Sequence, residues 1–411
     1  MRIALVVETY ARDMGYVSNT LPKFLARDGA EVHVITTELS PYHQLGSADA
    51  VFGKQFAQRN HNTQGQQQSI DGYTLHTLPH RATLGYPRLV GLEQTLRAIH
   101  PDVVCIFQST GWIPLECARY RRRLGFRLVI GSHTGKTVFS APGSWLSVRR
   151  ARSFMLRTVP GWYIASQADL CVVPTRDCAE VAADHFGIPK RKLRVMNLPV
   201  DTDYFHPNSG PLRPPSAKPS NRASLRESLG LAPDDLVCVY SGKFTAEKNA
   251  LVLAHAVDLL RSEGLRVRGL FIGSGEQQSE IEASPGAIVI PFMPIRELGD
   301  YFRVADIGVW MNESISFLDG ACCGLPLLLS DLVKDTSHVA EFTAVYRAGD
   351  PASLAQQIRL LADPVERLRR SQLAAKLGEQ RFSGRRYAQQ RMNQFRAAID
   401  QPSLTASKGR A

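Results

Sequence analysis

The sequence has no long hydrophobic run. Its 411 residues contain no window near the roughly 18 consecutive apolar residues of a membrane span, so membrane contact is expected to be peripheral. The opening MRIALVVE is a short apolar run cut by Glu8, without a small-residue cleavage site, and reads as part of the fold rather than a secretory leader. Cysteine is sparse and unpatterned. Cys105, Cys117, Cys171, Cys178, Cys238, Cys322 and Cys323 are odd in number, lack C-x-x-C spacing and lie mostly in apolar runs. That arrangement excludes a disulfide framework or a zinc ribbon and predicts buried thiols in a reducing compartment. The expected setting is the cytoplasm, at the inner face of the membrane. With 44% hydrophobic and 21% charged residues, 31 Gly and 24 Pro, collagen-like, disordered and coiled-coil chains are also excluded. The length suits two or three domains.

Charge is what the chain has in excess, and it is unevenly placed. The formal net charge is +11. Between Arg119 and Arg194 there are fifteen Lys or Arg against four Asp or Glu, a surplus equal to that of the whole chain. Such a stretch attracts an anionic partner: nucleic acid, a lipid head group or a phosphorylated substrate.

Short β-branched runs alternate with helical patterns. Strands are expected at Ile3 to Glu8, Glu31 to Thr36, Asp102 to Phe107, Arg127 to Gly131, Asp169 to Pro174 and Leu193 to Met196. After a Pro- and Ser-rich stretch from Pro207 to Ser224, they resume at Leu236 to Ser241, Arg268 to Gly273, Ala287 to Phe292, Ala305 to Trp310, Leu325 to Ser330 and Thr343 to Ala348. Alternation of this kind predicts an α/β fold of two tandem Rossmann-like halves with parallel sheets. The boundaries predicted are an acceptor-binding half at 1–200, a donor-binding half at 201–380 with a linker or insertion at 207–224, a crossover helix at 381–400 and a disordered tail at 401–411.

Ligands of doubly wound sheets sit beyond the carboxyl ends of the strands, which directs attention to the segments there. In YSGKFTAEKN a strand ends at Ser241-Gly242, followed by Lys243 and by Lys248 at an expected helix start. This is either an ordinary turn with solvated lysines or a site where glycine lets a phosphate approach two cations and a helix end. Glu313 and Asp319 flank another short helix, either as capping and solvated acids or as acceptors for sugar hydroxyls. GSHTGKT, Gly131 to Thr137, imitates a phosphate-binding loop but has three residues between its glycines where the motif has four. The arginine-rich segment carries Met155 among its basic residues in a partly amphipathic pattern. A membrane-facing helix or a solvated face packed on the sheet both fit it better than a nucleic-acid module.

The order of these segments, SGKFTAEKN, GSG, PFMPIREL, ADIGVW and FLDGACCGLP, resembles the retaining glycosyltransferases of family 4, which have the GT-B fold. The resemblance spans Met1 to about Phe395. It implies a nucleotide diphosphate sugar as co-substrate, no metal or other cofactor, and an acceptor that is anionic or lipid-linked, of the kind used in polysaccharide or glycolipid synthesis. Nucleic acid is not an expected partner. By the same resemblance, Lys243 and Lys248 clamp the donor diphosphate, with Gly242 beside them and Gly15 facing it across the cleft. Gly273 and Gly275 form the turn next to the donor, and Phe292, Met293 and Pro294 meet the nucleobase. His133 approaches the transferred sugar. Ser314 and Ser316, with Phe317 and Leu318, line the phosphate side, and Asp319 replaces the usual glutamate at the ribose. The family's E-x7-E motif is displaced here: its first position is Met311, and Glu313 is the nearest acid. The alternative reading is a non-catalytic nucleotide-sugar-binding protein, with a nucleic-acid protein behind it.

Overall fold

The computed structural model describes residues 1–12, 14–39, 65–84, 86–135, 154–209, 212, 221–312 and 314–400. Among the described residues ten strands precede residue 200: β1 (Arg2–Val6), β2 (Glu31–Thr37), β3 (Gln67–Ile70), β4 (Tyr73–Leu78), β5 (His80–Thr83), β6 (Tyr86–Leu89), β7 (Val103–Ile106), β8 (Arg127–Gly131), β9 (Leu170–Val173) and β10 (Leu193–Val195). Six follow it: β11 (Leu236–Ser241), β12 (Val267–Ile272), β13 (Ala287–Ile290), β14 (Ile307–Trp310), β15 (Leu327–Ser330) and β16 (Thr343–Tyr346). The first sheet runs β10-β9-β8-β7-β1-β2-β4-β3 and the second β13-β12-β11-β14-β15-β16. Within these two sheets every neighbouring pair is parallel except β3 with β4, and β5 with β6 forms a separate antiparallel pair, so the expected pair of Rossmann-like halves is what forms.

Period-two alternation sends the residues of β1 to opposite faces. Ile3 and Leu5 pack with Leu21 and Phe24 of the helix Val17–Arg27, whereas Ala4 and Val6 pack with Leu96, Cys117 and Ile164. Because both faces are covered, β7 is buried along its whole length, which is why such strands read as unbroken apolar runs. All seven cysteines are buried free thiols.

The structure adds what the sequence reading did not anticipate. The expected strand ends shift by up to two residues, and β3 to β6 were not foreseen. The β3–β4 hairpin turns on Asp71-Gly72, with φ of 45° and 90°, a dipeptide that favours tight hairpins. The linker expected at 207–224 is also corrected at its end: Arg222 to Ser224 open the helix Arg222–Ser228, while 210–211, 213–220 and the tail 401–411 lie outside the described residues.

Two crossings join the halves. The chain leaves the first at Val200, whose N–H donates to the Phe382 carbonyl at 2.7 Å while its own carbonyl accepts from Gly384 N–H at 2.8 Å. There the C-terminal helices Pro364–Phe382 and Gly384–Asp400 meet. The last helix returns to the first half and inserts Ala388, Met392 and Phe395 into the face containing Leu5 and Phe24. Beside this crossing Lys23, 3% exposed, donates to Asp201 at 2.7 Å and pairs with Asp203 at 2.6 Å. Burial alone would lower the pKa of its ammonium, but the two carboxylates outweigh that and raise it.

Candidate functional site

The ends of β11 and β14 bound a cavity of about 650 Å³. It is lined by Gly242, Lys243, Thr245, Lys248, Asn312 and Ser314, among others. Trp310 Nε1 donates to the Ser241 carbonyl at 3.1 Å, tying the two strand ends together at the cavity floor. Tyr240 Oη donates to the Lys243 carbonyl at 2.9 Å, and Ala246 N–H donates to Glu276 Oε1 at 2.8 Å. The lysine-bearing loop is therefore held at both ends before any ligand arrives.

Glycine is required where this loop meets the next one. A Cβ on Gly273 would lie 1.9 Å from the Gly242 carbonyl oxygen, and one on Gly275 would lie 2.5 Å from that of Phe244. With side chains absent there, Phe244 N–H donates to the Ser274 carbonyl at 2.9 Å and Gln277 N–H to the Phe244 carbonyl at 2.9 Å. The two glycines thus shape the site from behind and are not part of the cavity lining described.

Lys248 is not at a helix start as expected. It sits in a turn, and the helix begins at Leu251. Its Nζ donates to Asn312 Oδ1 at 2.8 Å, and Asn312 Nδ2 donates to the Glu247 carbonyl at 3.0 Å. Asn312 was missed in the sequence because no motif marks it; its position directly after β14 was the available signal. The Glu247 side chain is 82% exposed, so solvent and salt screen its charge. The cavity offers an anion two ammonium groups, an amide and hydroxyls, with the Glu276 carboxylate also on its wall and engaged by the Ala246 N–H.

The helix Ser316–Cys322 lies beside the cavity. Ser316 N–H donates to Ser314 Oγ at 3.2 Å, and the Ser316 Oγ is buried without a partner among the described residues. Phe317 and Leu318 are buried, Phe317 against Trp310 with ring centroids 6.5 Å apart. Asp319 is 8% exposed. Burial first, and then the charge of Asp201, hold its carboxyl well above the usual carboxylate range. Ser316, Phe317, Leu318 and Asp319 are outside the cavity lining described, and Glu313 lies outside the described residues.

Across from this loop, a Cβ on Gly15 would fall 2.0 Å from Ile295 Cδ1. Ile295 opens the helix Ile295–Val304, whose cap is Pro294, so the glycine loop of the first half abuts the segment of Phe292, Met293 and Pro294 in the second. Phe292 and Pro294 are half-buried and Met293 is buried. His133 lies elsewhere, in a second cavity of about 240 Å³ at the ends of the first sheet's strands, together with Glu8, Tyr86, Trp112 and Arg157. The residue is exposed overall, and desolvation lowers the pKa of its imidazole. Glu8 is a further residue that sequence reasoning noted only as an interruption of an apolar run.

Residues 15–204 match Glycosyltransferase Family 4 and residues 235–363 match Glycosyl transferases group 1. A D-inositol 3-phosphate glycosyltransferase of Streptomyces bingchenggensis is 28% identical over 224 residues, covering 49% of this chain and 47% of that protein. The chain spans about half the length of the curated relatives it matches. Among solved structures, sucrose-phosphate synthase from Thermosynechococcus elongatus superposes with a TM-score of 0.68 at 15% identity, covering 97% of this chain and 98% of that one. HepE of Anabaena, solved in complex with UDP and glucose, gives 0.64 at 14% identity, covering 97% and 100%. These likenesses establish the same two-sheet fold.

Proposed function

From the premise that the chain belongs to glycosyltransferase family 4 and has the GT-B fold, we propose that it moves a sugar, with retention at the anomeric carbon, from a nucleotide diphosphate sugar to a lipid-linked or cell-envelope glycan acceptor. The observation that carries this reading is the pre-held Gly242 to Lys248 loop facing Asn312 and Ser314. Cleavage of the anomeric C–O bond leaves negative charge on the departing diphosphate, and fixed cations lower the cost of that charge. Lys243 and Lys248 perform this role without a metal. The family resemblance assigns the ribose to Asp319 and the transferred sugar to Glu313 and His133, but Asp319 is outside the lining described for the lysine-bearing cavity and His133 lines the second one; Phe292, Met293 and Pro294 are proposed to meet the base.

The donor is tested by a thermal-shift panel of UDP, GDP, ADP and their sugar conjugates, followed by a transfer assay. One nucleotide class is expected to raise the melting temperature, and its sugar conjugate to be consumed. No stabilisation by any member would sink the reading, whereas binding without sugar transfer would favour a non-catalytic protein.

Membrane contact is part of the proposal. Phe154, Met155, Trp162 and Tyr163 are all more than 40% exposed on the turn and helix that run from Phe154 to Gln167. Lys190, Arg191 and Arg194 are exposed in the same basic segment, although residues 136–153 lie outside the described ones. Apolar side chains beside cations match an anionic lipid surface. Co-sedimentation with phosphatidylserine vesicles is expected, weakening with salt and with the pair Phe154→Ala and Trp162→Ala. Equal recovery with neutral and anionic vesicles would remove this part.

A further inference from the structure

A third cavity, of about 820 Å³, lies at the opposite edge of the second sheet from Lys243 and Lys248. Asp306 and Leu325 line it, and they stand just ahead of β14 and β15. The lysine-bearing cavity is at the carboxyl ends of β11 and β14, so strands of four to six residues separate the two, about 13–20 Å of chain. No residue of the proposed donor site is among its described lining.

Positive charge is in surplus at this edge. Asp306 accepts from Arg222 Nη2 and from Val237 N–H, both at 2.9 Å, with Arg226 Nη1 3.6 Å away. Arg303, also on the wall, is matched by Asp300. Arg367 has no carboxylate partner among the described residues; its Nη1 donates to the Leu361 and Ala362 carbonyls at 2.7 and 3.0 Å, which steadies one edge of the guanidinium. Burial lowers the pKa of Arg222, Asp306 opposes that, and the charges of Arg226 and Arg367 push it further down. Arg222, Arg226 and Arg367 therefore share the one carboxylate of Asp306. Arg226 is 6% exposed with its Nε buried and without a partner among the described residues, and with the other three it lines an adjoining cavity of about 310 Å³. Unbalanced charge in such a cleft is costly, and an anion offsets it.

The remaining wall is partly apolar. Phe302 and Leu325 are buried, whereas Leu368 is 58% exposed. Guanidinium groups meet phosphate oxygens in a planar two-point contact, and the apolar residues suit a ring. The volume falls within the roughly 300–1,000 Å³ of small-molecule clefts.

We infer that this cavity is a second ligand site, separate from the donor cleft, for a phosphate ester carrying an apolar ring, with Arg367 as its central contact. Its test does not depend on sugar transfer. Phenyl phosphate and inorganic phosphate are titrated calorimetrically, and hydrogen exchange followed by mass spectrometry locates the bound phenyl phosphate. Phenyl phosphate is expected to bind on the order of 10-fold tighter than inorganic phosphate and to slow exchange at 222–226 and 361–375. Arg367→Gln should weaken it about 10- to 100-fold, and Arg367→Lys less. Gln372→Glu changes an exposed lining residue, so the fold should persist while the added negative charge weakens binding. Lys243→Ala should leave the protection at 361–375 unchanged. Protection confined to 242–248, its loss at 361–375 in Lys243→Ala, equal affinity for the two phosphates, or affinity that survives Arg367→Gln and Gln372→Glu overturns the inference.

Discussion

Lys248→Ala is expected to lower sugar transfer by at least about 10²-fold, the usual cost of losing one preorganised group that stabilises developing negative charge. The ammonium is held 2.8 Å from Asn312 Oδ1, so it is in position before the diphosphate departs. Lys243→Ala should have a similar effect, because its backbone is fixed by Tyr240 and its side chain lines the same cavity. Neither lysine is buried, so melting temperature should change little. The relevant measurement is kcat with the nucleotide sugar identified by the panel, compared with the thermal melt of each variant. Near-normal turnover in either variant would remove that lysine from the mechanism.

The second large effect is on stability. Lys23→Met should destabilise the protein by about 3–5 kcal/mol, because removing one member of a buried ion pair leaves the other uncompensated. Asp201 is 6% exposed, burial already raises its pKa, and without the ammonium 2.7 Å away it must either stay ionised unpaired or take up a proton, each at a cost. A surface pair would be worth about 1 kcal/mol or less, so the expected loss depends on this burial. The thermal melt should fall by many degrees, and adding Asp201→Asn to Lys23→Met should restore part of the loss by removing the orphaned charge. An unchanged melt for Lys23→Met would show that the crossing is held by packing and by the Val200 backbone bonds alone. Because Asp201 also raises the pKa of Asp319, the same variants bear on the proposed ribose contact.

Local features of the chain were legible where one segment carries the whole signal. Ser241-Gly242 announces a strand end, and the strand does end at Ser241. Lys248 is expected at the helix start and instead lies three residues before Leu251, because a strand-to-helix junction does not fix its own length. Asp71-Gly72 carried a hairpin signal that was overlooked beside the longer apolar runs. Arg157 was counted among fifteen basic residues, with no sign in its neighbours that a π turn would direct it to a cavity with His133.

Sequence alone determined the alternation of strands and helices, the two Rossmann-like halves, the glycine–lysine loop and the uneven charge, because each is written in periodicity or composition over a few adjacent residues. Only the tertiary structure decided that Lys248 meets Asn312, that Lys23 meets Asp201 and that Phe395 fills the core beside Leu5. Those partners are separated by 64, 178 and 390 positions in the chain, and their meeting depends on how two sheets and a returning helix pack. Local propensity carries no information at that range.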